Sequence, residues 1–310
     1  MPSRTHVVGV VTLSLALAGS LAPAAADAAP AHQVRPVSVR NISVRTAPAG
    51  RVLPVPGTVN ARDTGGYLTY DGKRTRWGVL YRSESLAKIP ADGTAALAAL
   101  GLGSVLDLRT APEIRADGAD RLPAGVTSVP DAVDDTGLYA FIGQAVLSRD
   151  PAYQQALLGD GRARARMISL YRGFVTNPAN RAALGTAVRA VSNSSKPVLF
   201  HCSAGKDRTG VLADTVLRAV GVPAATSEQD YLLSGPLRAA SDQALRDQLK
   251  AAGYMQDPGL LIPLQQVSSD YLGAFRDQAV QDYGSFGNFL TDGLGLDAST
   301  LLRLRIRLVG

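Results

Sequence analysis

The chain has 310 residues, 46% apolar and 19% charged, a balance ordinary for a soluble globular enzyme with a sizeable core. Its net charge of +6 is spread out, with no basic cluster interleaved with aromatics. It therefore points away from nucleic acid and fits attraction for acidic, phosphorylated substrates. A single cysteine excludes an internal disulfide, and with only His32 and His201 beyond residue 28, no Cys/His metal site can be assembled.

Residues 1–28 read as a signal peptide. Arg4 supplies a positive start, Val7 to Leu21 is uncharged and apolar, and Ala24-Ala25-Ala26 and Ala26-Asp27-Ala28 are small-x-small cleavage sites. The abundant Ala and Gly with Pro23 favour cleavage over an uncleaved anchor, so a secreted product without stable membrane insertion is expected. Residues 29–52 are rich in Pro, Ala and Arg without a period and read as a flexible N-terminal tail. No repeat or low-complexity linker divides residues 53–310, which are expected to form one domain.

Asn60 to Tyr67 is turn-dense, and Trp77 to Ser83 reads as a strand. Asp63 and Arg82 are expected chiefly to tie loops together through buried ion pairs. Ala91 to Leu100 reads as a helix, and Ser104 to Thr110 as a buried strand ending in charge. In an open α/β sheet the carboxyl ends of the strands face the crevice that holds the site, which makes Asp107 a candidate. The alternative is that Asp107 and Arg109 are strand-end residues paired with Glu113. Within residues 131–176, helices are predicted over 136–147, 151–158 and 162–175, and a further helix over 180–191 has an apolar stripe of Ala183, Leu184, Ala187 and Val191. Beyond residue 221, helices are predicted over 227–232, 236–252 and 269–282.

The most informative stretch runs from Pro197 to Gly221. Val198 to Phe200 is a β-prone apolar run, a polar loop containing Gly205 follows, and Val211 to Val220 carries a helical apolar face stopped by Gly221. Strand, tight loop and helix N-terminus together make an anion cradle in which the backbone N–H groups of Ser203, Ala204, Gly205, Lys206, Asp207 and Arg208 can converge on a phosphate. Arg208 adds a planar fork for two phosphate oxygens. The same field favours a thiolate at Cys202, suited to in-line attack on phosphorus, and Thr209 is placed to hydrogen-bond the sulfur as it leaves. Other chemistries lack their signatures: there is no G-x-S-x-G elbow, and Lys206 is followed by Asp207 rather than by the Ser or Thr of a nucleotide-binding loop.

The string His201-Cys202-Ser203-Ala204-Gly205-Lys206-Asp207-Arg208-Thr209-Gly210 resembles the signature of the cysteine-dependent protein tyrosine phosphatases, in particular their bacterial tyrosine/phosphoinositide branch. Asn60-Ala61-Arg62-Asp63-Thr64-Gly65-Gly66, Gly78-Val79-Leu80-Tyr81-Arg82-Ser83 and Asp107-Leu108-Arg109 are similar to further motifs of that branch, as is the C-terminal pattern from Ser285 to Leu308. The resemblance implies an α/β domain with a central, mostly parallel sheet flanked by helices, and a phosphocysteine mechanism needing neither metal nor cofactor. It also implies a helical lid over the site, where residues 131–176 fit in position and length, although helices packed away from the site remain an alternative. On this reading Cys202 is the nucleophile and Arg208 with Ser203 to Asp207 binds phosphate, while Thr209 assists the thiolate and His201 shapes the loop. The Trp-Pro-Asp loop of many relatives is absent, since Trp77 is the only tryptophan. Asp107, Asp207 and the loop acids Asp131, Asp134 and Asp135 are the candidate proton donors, with Asp107 favoured for an approach from across the crevice. Lys206 inside the loop leaves phosphotyrosine, phosphoserine and phosphothreonine proteins and phosphoinositides all open as substrates, and a non-catalytic phosphate-binding module or a sulfurtransferase as lesser alternatives.

Overall fold

Short apolar strands with alternating side chains set the sheet. A computed structural model describes residues 50–310, in which five strands are present: β1 (Arg62–Asp63), β2 (Leu80–Ser83), β3 (Ser104–Asp107), β4 (Thr127–Pro130) and β5 (Val198–His201). Their order is β1-β2-β5-β3-β4, and every pairing is parallel except β1 with β2. The α/β class and mostly parallel sheet expected from the sequence are thus observed. The strand leading to Cys202 lies at the centre, which puts the residue after it at the crevice formed by the strands' carboxyl ends.

The alternation divides the core in two. Tyr81, Leu199 and Val105 stand side by side in register on one face and pack with Val55, Leu86, Ile89, Leu97 and Leu102 beneath α1 (Ala91–Ala98). Leu80, Leu106, Val198 and Phe200 point to the other face, into a much larger helical layer. In chain order the remaining helices are α2 (Ala111–Asp117), α3 (Leu138–Ser148), α4 (Pro151–Leu158), α5 (Arg162–Thr176), α6 (Pro178–Asn193), α7 (Arg208–Ala219), α8 (Ala224–Leu232) and α9 (Ser234–Ala251). A short α10 (Ile262–Gln265), α11 (Ser269–Tyr283), a single turn α12 (Phe286–Asn288) and α13 (Ala298–Leu308) complete the chain.

The expected signal peptide and most of the expected tail lie outside the described residues. Arg51 and Val52, however, already belong to the fold, two residues before the boundary read from composition. Arg51 donates to the Asp63 carbonyl at 2.8 Å and stacks over Tyr67 and Trp77, while Val52 bridges to Arg62. β4 has no counterpart in the sequence reading, because it is an edge strand with three of its four residues exposed and no apolar run to mark it. No helix among the described residues is long and apolar enough to cross a membrane.

Candidate active site

The chain from β5 into α7 forms the loop the sequence requires. Cys202 is a free thiol, 2% exposed, at the carboxyl end of the central strand. Gly205 takes φ +67°, and a Cβ there would lie 2.4 Å from the Ser83 carbonyl oxygen and 2.5 Å from the Glu84 nitrogen, so no other residue fits. The backbone amides of Ser203 to Arg208 donate to no described group. Their carbonyls, by contrast, are held from outside: Ser203 O accepts from Ser85 N at 3.1 Å, and Ala204 O from Arg238 Nη1 at 3.1 Å. Gly205 O accepts from Asn60 Nδ2 at 3.0 Å and from Arg82 Nη2 at 2.9 Å. With its carbonyls held from outside, the loop keeps a row of unspent N–H groups next to the N-terminus of α7.

The outer clamp rests on one carboxylate. Asp230, on α8, takes Arg82 Nη1 at 2.6 Å and Arg62 Nε at 3.1 Å, and all three side chains are buried. Burial and the neighbouring Arg62 charge lower Arg82 to about 10, while Arg62 and Arg82 hold Asp230 well below the carboxylate range against the penalty of its own burial. Arg82 ties loops together through a buried ion pair as expected, whereas Asp63 does so through backbone amides instead, accepting from Gly65 N and Gly78 N, both at 2.7 Å. Arg82 also reaches the phosphate loop itself.

Arg208 is oriented by Glu113 through Nη1–Oε2 at 2.7 Å and Nη2–Oε1 at 2.5 Å, and Nη1 also donates to the Leu108 and Val133 carbonyls. Nε–H and one Nη2 hydrogen remain unspent, which is the side-on fork a phosphate needs. Burial opposes the Arg208 charge, but Glu113, the Cys202 sulfur and Asp135 outweigh it and raise the guanidinium above its ordinary value. Glu113 is displaced upward by burial, then carried down to about 2 by Arg208, Ser203 Oγ and the Thr110 amide. The alternative offered from sequence paired Glu113 with Asp107 and Arg109. The only signal for its true place is Thr110-x-x-Glu113, a capping box that starts α2 and so aims the carboxylate.

Asp107 does not reach across the crevice. Its oxygens are taken by Arg109 Nε at 2.9 Å and Nη2 at 2.8 Å, and it does not line the cavity above Cys202. The residues are two apart at a strand end, so the ion pair closes locally before the carboxylate can turn to the site. Asp131 and Asp134 also lie off the cavity wall; Asp135 is on it, accepting from Gly137 N and Tyr139 N. His201 Nδ1 faces the Cys202 carbonyl at 3.1 Å and Nε2 faces Asp120 at 2.7 Å. The Thr209 hydroxyl is buried without a hydrogen-bond partner among the described residues, Cys202 Sγ included. Lys206 is drawn inward rather than out to the mouth, its Nζ donating to Asp207 Oδ2 and the Leu264 carbonyl, both at 2.8 Å.

The cavity over Cys202 has loop residues Ser203, Ala204, Lys206, Asp207 and Arg208 at its base. Its walls are largely apolar: Leu138, Tyr139 and Ile142 from α3, Leu170 and Phe174 from α5, and Leu245 and Leu264 from the C-terminal helices. Of the three helices expected between 131 and 176, α5 is a core element, with Met167, Leu170, Tyr171 and Phe174 fully enclosed, whereas α3 lines the cavity through Leu138, Tyr139 and Ile142.

A buried free cysteine in a loop of unspent amides, with an oriented arginine on the same cavity, fits a phosphate-monoester hydrolase. The chain belongs to the tyrosine phosphatase family, whose model matches residues 53–310. It is 30% identical over 286 residues to the triple specificity protein phosphatase PtpB of Mycobacterium tuberculosis, covering 84% of this chain and 99% of that one. A tyrosine-protein phosphatase of Nostoc commune is 28% identical over 239 residues, 74% of this chain and 72% of that one.

Proposed function

We propose that this tyrosine phosphatase works through a phosphocysteine on Cys202. The observation that carries the reading is the free, buried thiol under six unspent loop amides, with the open edge of Arg208 beside it. The Cys202 thiolate attacks phosphorus, the P–O bond to the leaving group breaks, and the leaving oxygen takes a proton from Asp207. A water then attacks the phosphocysteine and the S–P bond breaks with its electron pair returning to sulfur. Asp207 takes the water's proton, and inorganic phosphate departs. Arg208 and the amides stabilise the charge on the equatorial oxygens in both steps. Asp207 is assigned the proton transfers in place of Asp107 because it belongs to the loop and lines the cavity.

The apolar walls suit the ring of phosphotyrosine, and the α3 residues on the cavity wall suit a lid. Phosphoserine and phosphothreonine proteins and phosphoinositides belong to the same proposal, the last favoured by Arg238 on the cavity wall. Export is proposed on residues 1–28.

The test is hydrolysis of nitrophenyl phosphate, phosphopeptides and inositol lipids by the parent, Cys202→Ser and Arg208→Lys. Cys202→Ser is expected to lose all turnover while still binding phosphate esters, and Arg208→Lys most of its rate, because an ammonium cannot reproduce the fork. Turnover by Cys202→Ser within tenfold of the parent would overturn the phosphocysteine mechanism.

A further inference from the structure

Behind the loop lies a buried polar chain. Tyr171, on α5, and Tyr231, on α8, are both fully enclosed. Tyr171 Oη donates to Asp207 Oδ1 at 2.8 Å, the two phenol oxygens are 2.7 Å apart, and Ser268 N lies 3.4 Å from Tyr231 Oη. Tyr171 has one hydroxyl proton, and the bond to Asp207 Oδ1 commits it. Tyr231 must therefore donate to Tyr171, and its own oxygen faces the Ser268 amide. The bonds run one way, from Ser268 through Tyr231 and Tyr171 to Asp207, and each polarises the next.

We propose that Tyr171 and Tyr231 are positioning residues that set the Asp207 carboxylate for its proton transfers, an inference that rests on the role assigned to Asp207 above. Lys206 fixes Oδ2 and Tyr171 fixes Oδ1, so the carboxylate cannot rotate away from the cavity. Burial first, and then the Asp207 charge, raises both phenols above their ordinary range, which keeps them neutral donors. The packing is built for this arrangement. Tyr171 is wedged against Phe174, Tyr231 and Tyr271 with ring centroids 5.6, 6.2 and 5.8 Å away. Gly210, in the first turn of α7, admits the Tyr231 ring, since a Cβ there would lie 2.7 Å from Tyr231 Cδ2. A glycine inside a helix is unfavourable relative to alanine, and the close approach of Tyr231 is what it permits. Through Tyr171, a helix outside the signature becomes part of the catalytic apparatus.

Removing the Tyr171 hydroxyl should show in the step where Asp207 takes the proton from water. With nitrophenyl phosphate, whose leaving group needs little help, Tyr171→Phe is expected to lower kcat about tenfold and kcat/KM less than twofold. A pre-steady-state burst of nitrophenol, absent in the parent, should appear as the phosphocysteine accumulates. Tyr231→Phe keeps the direct donor and should lower kcat two- to threefold. Adding Tyr171→Phe to Asp207→Asn should cost nothing further. Equal losses in kcat and kcat/KM without a burst, or the same tenfold loss in the Asp207→Asn background, would make the tyrosines packing residues only and overturn the inference. If Tyr171→Phe melts at assay temperature, Tyr231→Phe carries the same comparison. If Asp207→Asn itself shows neither burst nor loss of kcat, the assignment of Asp207 fails first and the inference falls with it; a burst in Asp207→Asn alone overturns only the tyrosines' part.

Discussion

The loop from Cys202 to Arg208 offers its amides and a sulfur atom to the cavity on one side. On the other, its carbonyls are gripped by Ser85, Asn60, Arg82 and Arg238. The inner side comes from one ten-residue string. The outer side is drawn from far along the chain: Asn60 is 145 positions from Gly205, and Arg82 is 123. A phosphate cradle needs both, because amides converge only if their carbonyls are held apart. Chemistry is thus local in sequence, while the rigidity that makes it effective is a product of the whole fold.

The comparison is broken most severely at Asp230. Asp230→Ala leaves the buried Arg62 and Arg82 guanidiniums facing each other without their shared carboxylate. Removing one partner of a buried ion pair costs about 3–5 kcal/mol, so chemical denaturation should show a loss of that order, together with weaker phosphate binding. A stability within about 1 kcal/mol of the parent would mean that the outer network is dispensable.

Next in size is Gly205→Ala, which presses a Cβ onto the Ser83 carbonyl and the Glu84 amide at positive φ. Overpacking of this kind costs roughly 1–3 kcal/mol, and the strain falls within the cradle. A large rise in KM for nitrophenyl phosphate is expected, with the melting temperature lowered less than in Asp230→Ala.

What could be read in advance follows the same division. The strand–loop–helix around Cys202 was legible because apolar period, turn residue and helix stop are all local. Helices such as 151–158 and 269–283 fell within a residue or two of their predicted bounds for the same reason. Asp230 was illegible: one aspartate on a helix looks like a solvated side chain until the fold brings two arginines to it. Asp107 and Glu113 were misplaced together, because sequence distance cannot say which of two nearby carboxylates an arginine will take. Arg109 took Asp107 and left Glu113 to Arg208.

A smaller effect separates two carboxyl groups near the site. Glu113 is held down at about 2, so its pairing with Arg208 stabilises the fold above the ordinary glutamate range and is lost as the pH falls from about 4.5 toward 2. Asp131 behaves oppositely: burial raises it to about 6, and Oδ2 has no partner among the described residues. Its folded value lies above the unfolded one, so its contribution is complete below pH 3.8 and disappears as the pH rises through about 6. Asp131→Asn should remove that decline. The melting temperature of the variant relative to the parent should therefore rise between pH 4 and pH 7, by about 2–4 °C for a gain near 1 kcal/mol in a domain of this size. Glu113→Gln should show the reverse trend, its deficit relative to the parent shrinking as both are taken from pH 5 toward pH 2. A difference between Asp131→Asn and the parent that is flat across pH 4 to 7 would show that Asp131 finds water or a partner in solution, leaving Glu113 as the acid near the site that sets the pH response.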